Sequence, residues 1–148
     1  MEIDDYIKFA NANPASYLAT VDGGQPRVRA LLMLFADTSG LYYGVSTAKD
    51  VYKQLKANPK VEVCFFEPKS NLNEMFGYRG KMMRVTGQVE FLNDLDLKKK
   101  LIEARSLLNL MGLTPESPGL IIFRVAKCTA HFWTRETDLE PKKYVSFG

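Results

Sequence analysis

Residues 24–66 read GQPRVRALLMLFADTSGLYYGVSTAKDVYKQLKANPKVEVCFF, and this stretch decides the fold. Its apolar runs are short and are separated by Gly, Pro, Asn and Asp, which predicts strand, turn, strand, helix and strand. Two features suit a phosphate group: two arginines on one strand, and a Ser-Thr-Ala-Lys sequence where the next strand gives way to the helix. We expect the remaining elements to form a barrel around this stretch.

Arg27 and Arg29 lie two residues apart in the predicted strand 26–36. Side chains at i and i+2 of a strand project from the same face, so the two guanidinium groups can converge on one anion. Beyond Arg29 both faces of this strand are apolar, and we expect both to be covered. The alternative interpretation is an exposed strand end with surface ion pairs.

Ser46, Thr47 and Lys49 stand at the predicted start of a helix over residues 48–57. A helix start offers free backbone N–H groups and a positive dipole end, and the hydroxyls and the ammonium add donors for a phosphate. The alternative is ordinary capping, with Thr47 and Asp50 in a variant of the capping box. Because the arginines and this helix start flank one hairpin, together they favour a phosphate site. The chain has neither a Walker loop nor a G-x-G-x-x-G motif, which disfavours the classical ATP and NAD folds.

The rest of the chain predicts a mainly β fold. Helices are expected over residues 2–13 and from a cap at Asn93 or Asp94 to about residue 110. Strands are expected, with a bulge at Gly87, over residues 16–21, 26–36, 41–45, 60–67, 79–92, 120–133 and 143–147. This order predicts one domain over residues 1–148, a six- to seven-stranded antiparallel barrel with helices packed outside. A doubly wound parallel sheet would need a helix after nearly every strand.

Composition and charge limit the partners, metal sites and location that we expect for this protein. The chain has 46% hydrophobic and 25% charged residues, and its net charge of +3 is too small to indicate a nucleic-acid partner. A single histidine excludes a His-rich metal cluster, so no metal site is expected, and Cys64 and Cys128 are expected to be buried free thiols. The acidic, polar start and the short apolar runs predict a cytoplasmic protein with no membrane partner.

Aromatic side chains can supply either the core or a flat slot for a ring system. Most are assigned to the core, but Trp133, which shares a predicted strand face with His131, is kept as a candidate ring contact. The candidates are Tyr42, Tyr43, Phe65, Phe66, Phe76, Tyr78, Phe132 and Trp133. Lysines 98–100 are predicted to lie on the solvated face of the second long helix rather than to bind nucleic acid.

At these residues the chain resembles the pyridoxamine 5′-phosphate oxidase-like family of FMN-binding split barrels, and especially its short bacterial flavoproteins. The resemblance covers nearly the whole chain. It is carried by segments whose order and spacing match: GQPRVR (24–29), GLYY (40–43), STAKDVYKQL (46–55), NPKVE (58–62), MMRVTG (82–87) and EPKKY (140–144).

The resemblance implies a mainly β split barrel that forms a homodimer with FMN at the subunit interface. In the family pattern Arg29, with Arg27, would hold the phosphate, and the backbone of Val28 and Ala30 would run beside the flavin ring. Ser46, Thr47 and Lys49 match the second phosphate-binding element. Met82 falls where relatives often place a glutamine or a tryptophan near the flavin, and methionine can pack there but cannot hydrogen-bond as an amide does.

The chain departs from the true pyridoxamine-phosphate oxidases. Those enzymes carry an Arg-x-His pair near the C-terminus that grips the substrate phosphate, whereas His131 here follows Thr129 and Ala130. The chain is also shorter. We therefore transfer the cofactor and not the substrate, and no catalytic residue is assigned. Substrate choice is expected to lie in the loop 68–77 and in the tail after His131.

Two functions remain open at the level of sequence. The favoured hypothesis is an FMN-dependent oxidoreductase acting on an unidentified small molecule such as a quinone, a nitro compound or oxygen. The alternative is a non-catalytic protein of the same fold that binds or stores flavin, haem or a deazaflavin, although a single histidine disfavours haem. A third and more distant interpretation is an OB-like barrel that binds single-stranded nucleic acid.

Overall fold

The computed structural model describes residues 2–68 and 80–148. The helices in these ranges are α1 (Ile3–Ala12), α2 (Asp50–Ala57), α3 (Leu95–Ala104) and α4 (Ser106–Leu110), with a 3₁₀ turn at Arg135–Thr137. The strands are β1 (Ala15–Asp22), β2 (Gln25–Leu32), β3 (Phe35–Asp37), β4 (Gly40–Ser46), β5 (Lys60–Pro68), β6 (Gly80–Leu92), β7 (Leu120–Thr134) and β8 (Val145–Phe147).

The strands form one antiparallel sheet that curls around a core. Its order is β2-β1-β5-β6-β7-β4-β3, and β8 pairs with β7 outside this path. The sheet is open between its end strands β2 and β3. The core includes Tyr43, which stacks on Phe123 with ring centroids 5.2 Å apart. The predicted mainly β antiparallel fold with packed helices is confirmed, with eight strands in the described residues in place of six or seven.

The predicted strand 26–36 is two strands, which corrects the expectation of one continuous element. β2 pairs with β1 as far as Leu32, and β3 pairs with β4 from Phe35 onward. Between them the Met33 amide donates to the Pro14 carbonyl and the Leu34 amide donates to the Tyr42 carbonyl, both at 2.8 Å. The backbone therefore changes partner at this corner, and one apolar run supplies both ends of the sheet.

The outer face of β2 is exposed in the single chain, contrary to the expectation that both faces are covered beyond Arg29. Beyond Arg29, Ala30 is exposed and Leu32 is 50% exposed, and Val28 on the same face is 71% exposed. The inner face turns toward the barrel, since Arg29 stands opposite the fully buried Leu18 in the ladder with β1. The apolarity of this run therefore did not determine whether its outer face is covered.

The second long helix is also divided. Asp94 caps α3 as predicted, because its carboxylate accepts from the amides of Asp96 and Leu97. The helix then breaks at Arg105 (φ −132°), whose guanidinium donates to the Leu32 carbonyl at 2.5 Å. Within the predicted solvated run, Lys99 and Lys100 are exposed, but Lys98 is buried at 6% exposure, which corrects its assignment.

Gly87 lies at a bulge, as predicted. The register between β6 and β7 shifts between Thr86 and Gln88. A Cβ atom on Gly87 would lie 2.7 Å from the Ala126 carbonyl oxygen, so the backbones approach too closely there for a larger residue. The loop predicted over residues 68–77 falls, except for Pro68 at the end of β5, outside the described residues. None of the helices that the structure describes is long and apolar enough to cross a membrane.

Candidate functional site

A cleft of about 720 Å³ lies between the β1–β2 hairpin and α2. This volume falls within the usual range for small-molecule sites. The hairpin wall consists of Val21, Asp22, Gly23, Arg27, Val28 and Arg29, and the helix wall consists of Lys49, Asp50, Val51, Lys53, Gln54 and Ala57. The cleft is therefore built entirely from the stretch of chain that carries the predicted phosphate-binding residues and from the hairpin strand before it.

Arg29 is held in place by three uncharged acceptors. Its Nη1 donates to the Leu18 carbonyl at 3.2 Å and to Thr20 Oγ1 at 2.8 Å, and its Nη2 donates to Gln54 Oε1. Partial burial and then the neighbouring Arg27 charge lower the pKa of Arg29, but an arginine is not deprotonated in proteins. These contacts fix the direction of a full positive charge without neutralising it.

Gln54 is a site residue that the sequence reasoning missed. Its Oε1 accepts from Arg29 and also from Thr20 Oγ1, the latter at 2.6 Å. One amide oxygen therefore ties β1, β2 and α2 together at the centre of the cleft. The available signal was helical spacing, because Gln54 lies four residues after Asp50 and so faces the same side of α2.

Arg27 lines the same cleft but behaves differently from Arg29. Its Nε donates to Asp22 Oδ2 at 3.2 Å, and both side chains are about half exposed. An ion pair with that exposure contributes little to stability. The surface-pair interpretation thus describes Arg27 in this structure, whereas the anchored geometry belongs to Arg29.

Lys49 lines the cleft at the start of α2, but Ser46 is the last residue of β4 and Thr47 lies in the turn that follows it. The helix begins at Asp50 rather than at Ala48, Lys49 is the N-cap residue, and no side chain caps the helix. The Thr47–Asp50 capping box is therefore wrong. Ser46 Oγ accepts instead from the Ala48 amide at 3.2 Å, and the Thr47 amide donates to the Gly119 carbonyl at 3.0 Å. These hydrogen bonds keep residues 46–48 in a non-helical conformation, so that α2 begins only at Asp50.

The remaining predicted contacts are distributed over the sheet. Val28 lines the cleft, and Ala30 lies exposed on the outer face opposite Tyr17 of β1. Met82 and Trp133 face each other across β6 and β7, and the Trp133 indole donates to Asp138 Oδ1 at 2.6 Å. They lie three and four strands from β2, a path of about 14–19 Å along the curled sheet at the usual strand spacing. Within one chain Arg27, Val28, Arg29 and Lys49 come together, and Met82 and Trp133 form a separate pair.

His131 is buried at 5% exposure away from the cleft. Arg84 donates to its Nε2 from Nε at 3.3 Å and from Nη2 at 3.2 Å. Because a guanidinium can only donate, Nε2 must accept, so the ring is neutral with its proton on Nδ1. Burial first, then the charges of Arg84 and Lys142, lower the pKa of His131, and Glu62 opposes them.

Redox and metal groups are few in the described parts of the chain. Cys64 and Cys128 are free thiols, and burial raises the pKa of both, that of Cys128 to about 12. Neither is poised as a thiolate nucleophile at neutral pH. Across residues 2–68 and 80–148 no group of three His, Cys, Asp or Glu side chains is placed to hold a metal ion. The cleft brings together the anchored guanidinium of Arg29 and the exposed ammonium of Lys49, an arrangement that can bind an anion.

Comparison with solved structures places the fold among known proteins. A NimC/NimA family protein from Clostridium acetobutylicum superposes with a TM-score of 0.74 at 23% identity, covering 98% of this chain and 93% of that one. An FAD-binding protein from Mesorhizobium loti gives a TM-score of 0.61 at 25% identity, covering 88% and 94%. HutZ, the haem storage protein from Vibrio cholerae, gives 0.62 at 19% identity, covering 85% and 90%.

Sequence comparison gives the family. No curated protein matches the chain. The family model described as pyridoxamine 5′-phosphate oxidase matches residues 3–133, which is most of the chain and includes every strand of the sheet except β8 and the last residue of β7. The matched part contains both walls of the cleft. The chain is a member of the pyridoxamine 5′-phosphate oxidase family of split-barrel proteins.

Proposed function

We propose that the protein binds FMN, with the flavin phosphate in the cleft between the β1–β2 hairpin and α2. The observation that carries the proposal is the state of Arg29: a charged guanidinium, anchored by Leu18, Thr20 and Gln54, whose bonded partners among residues 2–68 and 80–148 are all neutral. A phosphate supplies the missing negative charge and accepts charge-assisted hydrogen bonds from such a group.

The charge of the cleft suits a phosphate ester. The cleft combines the cations Arg27, Arg29, Lys49 and Lys53 with the carboxylates of Asp22 and Asp50. Asp22 is already paired with Arg27. The surplus is positive, and it lies beside the start of α2, where backbone amides and the helix dipole also favour an anion.

We further propose a homodimer with the cofactor at the subunit interface. Apolar side chains stand exposed on the outer face of β1 and β2, among them Tyr17 at 49%, Val28 at 71% and Leu32 at 50%. Met82, which the family pattern places near the flavin, and Trp133, the candidate ring contact, lie three and four strands along the sheet from β2 and do not line the cleft of their own chain. A second copy packed on the apolar face would cover it and bring that pair to the site.

The proposed activity is that of an FMN-dependent oxidoreductase acting on an unidentified small molecule, distinct from pyridoxamine-phosphate oxidation. Bound flavin supplies the transfer of hydride or electrons to a small acceptor. The protein's part is to fix the phosphate through Arg29 and Lys49 and to hold the ring against the β2 backbone at Val28 and Ala30. His131 is committed to Arg84 and is not assigned as a proton donor.

The cofactor proposal is tested by titrating the apo protein with FMN and following flavin fluorescence. Arg29→Ala and Lys49→Ala are each expected to weaken FMN about tenfold or more, since one charge-assisted contact contributes about 1.5–3 kcal/mol. Riboflavin, which lacks the phosphate, should bind all variants alike. Lys99→Ala removes an exposed lysine of α3 and serves as the matched control. Protein that binds no FMN, or variants that bind it unchanged, would overturn the proposal.

A carrier of haem or of a deazaflavin is the second candidate, because a haem storage protein shares the fold. The structure gives one observation on haem: the chain's single histidine is buried and its Nε2 is occupied by Arg84. Absorbance spectra after incubation with haemin or FMN separate the two ligands. Turnover of NADH or NADPH with quinone and nitro acceptors separates an oxidoreductase from a carrier, since a carrier gives none.

A further inference from the structure

The outer face of the sheet carries a row of directly paired residues across four strands. Tyr17 of β1 pairs with Cys64 of β5, Cys64 pairs with Arg84 of β6, and Arg84 pairs with His131 of β7. Because directly paired residues project from the same face of a sheet, these four side chains stand side by side on the face where Tyr17 is exposed. None of the four lines the cleft, so the row is a separate feature of the molecule.

Arg84 is a guanidinium without an anionic partner in the described part of its own chain. Its Nε and Nη2 both donate to one neutral acceptor, Nε2 of His131, at 3.3 Å and 3.2 Å. It belongs to neither of the two ion pairs that the described ranges contain. Within residues 2–68 and 80–148 its Nη1 donates to nothing, so the edge formed by Nη1 and Nη2 remains a fork of the shape that matches a carboxylate.

A short side chain separates this fork from an exposed aromatic ring. Cys64 lies between Arg84 and Tyr17 in the row, and its side chain is much shorter than either neighbour. The face is therefore recessed at Cys64, over two strand spacings or about 9–10 Å along the sheet. The charge of Arg84 reaches this recess, since burial raises the pKa of the Cys64 thiol and Arg84 opposes that rise.

The charges around Arg84 leave the row positive. Glu62 lies two residues before Cys64 and shares its face, while Lys142 belongs to the tail that covers His131. Both act on the ring: after burial, Arg84 and Lys142 lower the pKa of His131, and Glu62 raises it. Two cations therefore stand against one carboxylate, which favours a ligand with a negative charge over a neutral one.

The proposed homodimer strengthens the need for an anion at this point. A second copy packed on the outer face would remove Arg84 from water, and an unpaired charge taken out of water is costly. Glu62 is the neighbouring carboxylate of the same chain, and it forms no ion pair with Arg84. A carboxylate bound at the free fork would supply the counter-ion.

We infer that the outer face binds a small aromatic carboxylate, whose carboxylate group lies on the fork of Arg84 and whose ring lies over Cys64 against Tyr17. The ring gains apolar contact with the tyrosine, and the carboxylate gains two charge-assisted hydrogen bonds. This site goes beyond the proposed function, because it shares no residue with the cleft.

The test titrates 2-naphthoate into the full chain, with and without FMN, and follows binding by calorimetry. Naphthalene-2-carboxamide, which has the same shape and no charge, is the comparison probe and is expected to bind about tenfold more weakly. Arg84→Gln is expected to weaken naphthoate about tenfold or more and to leave the carboxamide unchanged. Arg135→Gln, a change of an exposed arginine in the 3₁₀ turn, is the matched control.

Two further variants examine the parts of the site. Arg84→Lys keeps the charge and a donor for His131 but lacks the fork, so naphthoate affinity should fall between those of wild type and Arg84→Gln. This variant also tests the site if Arg84→Gln fails to fold. Glu62→Gln removes a nearby negative charge and is expected to strengthen naphthoate about two- to threefold.

The outcomes separate this inference from the proposed function. Equal affinities for the two probes, or unchanged naphthoate binding in Arg84→Gln, overturn the carboxylate site and leave the FMN proposal standing. Naphthoate binding that depends on Arg84, in a protein that binds no FMN, supports the site and overturns the FMN proposal. A wild-type dimer that binds no naphthoate and becomes monomeric in Arg84→Gln also overturns the site, because the counter-ion of Arg84 is then supplied by the second copy.

Discussion

At the scale of single residues, the two arginines of β2 illustrate what a sequence pattern can predict. Their spacing correctly placed both on one face, and the structure puts both at the cleft. The spacing could not distinguish Arg29, anchored to three acceptors, from Arg27, paired at the surface. That difference comes from Gln54, which lies 25 residues away in the chain and reaches Arg29 only because α2 packs on the hairpin.

The Gln54 amide gives a prediction at this scale. Gln54→Ala removes an acceptor from Arg29 and is expected to weaken FMN about five- to tenfold through loss of orientation. Gln54→Glu is expected to weaken FMN further, because its carboxylate pairs with Arg29 and repels the phosphate. Affinity is measured by fluorescence titration, and Gln88→Ala, an exposed glutamine on β6, is the control. Tighter binding by Gln54→Glu would contradict the assigned role of Arg29.

At the scale of elements, the sequence located most helices and strands but not the places where the chain changes direction. The Gly87 bulge and the Asp94 cap were predicted because the residue type itself carries the signal. The corner between β2 and β3 and the break at Arg105 carry no glycine or proline. Both depend on long-range backbone acceptors, the carbonyls of Tyr42 and Leu32, which a local pattern does not contain.

The stability of the folded chain is expected to depend on pH through His131 of β7, which contacts Arg84 of β6 and Tyr144. The pKa of His131 is lowered in the folded chain, chiefly by burial and then by Arg84 and Lys142, against an opposing effect of Glu62. The unfolded chain therefore binds more protons, so this group's contribution is fully present above about pH 6.5 and is lost as pH falls toward the folded pKa. Tyr144 also packs edge-on against the ring, at 5.2 Å between centroids.

Urea unfolding between pH 5 and pH 8 measures this dependence. Wild-type protein is expected to lose stability as pH falls below about 6.5, because protonated His131 no longer accepts from Arg84. His131→Gln keeps a neutral acceptor that does not titrate, and its midpoint should change less over the same interval. Equal pH dependence in the two proteins would show that other groups govern acid stability.

At the scale of the whole molecule, the fold class was predictable because alternation, turns and helix placement all agreed with one barrel. The complete candidate site was not, because within one chain the predicted residues separate into those of the cleft and the distant pair Met82 and Trp133. The predicted contacts Met82 and Trp133 lie on the far strands, and the apolar face around Tyr17 stays uncovered. A sequence does not state which of its surfaces meets a second copy, so the homodimer stands as a proposal.

The dimer proposal predicts the effect of a charge on that face. Tyr17→Glu places a carboxylate opposite Ala30 of β2 and is expected to convert a dimer to a monomer and to weaken FMN, because the partner's contacts are lost. Sedimentation velocity measures the state. Leu95→Glu, a change of an exposed leucine at the first residue of α3, should leave the dimer intact. A monomeric wild-type protein that binds FMN would contradict the proposal.

The order of the strands also bears on how the chain is made. Every residue of the cleft lies between Val21 and Ala57, yet β4 needs β7, which begins at Leu120, as its inner partner. Residues 47–119 lie between the two strands, and at about 5–20 residues per second their synthesis takes roughly 4–15 s. During that interval the edge of β4 that later pairs with β7 is unpaired on the ribosome-bound chain, and this strand carries Leu41, Tyr42 and Tyr43. An unpaired apolar strand edge is prone to pair with a strand of another nascent chain.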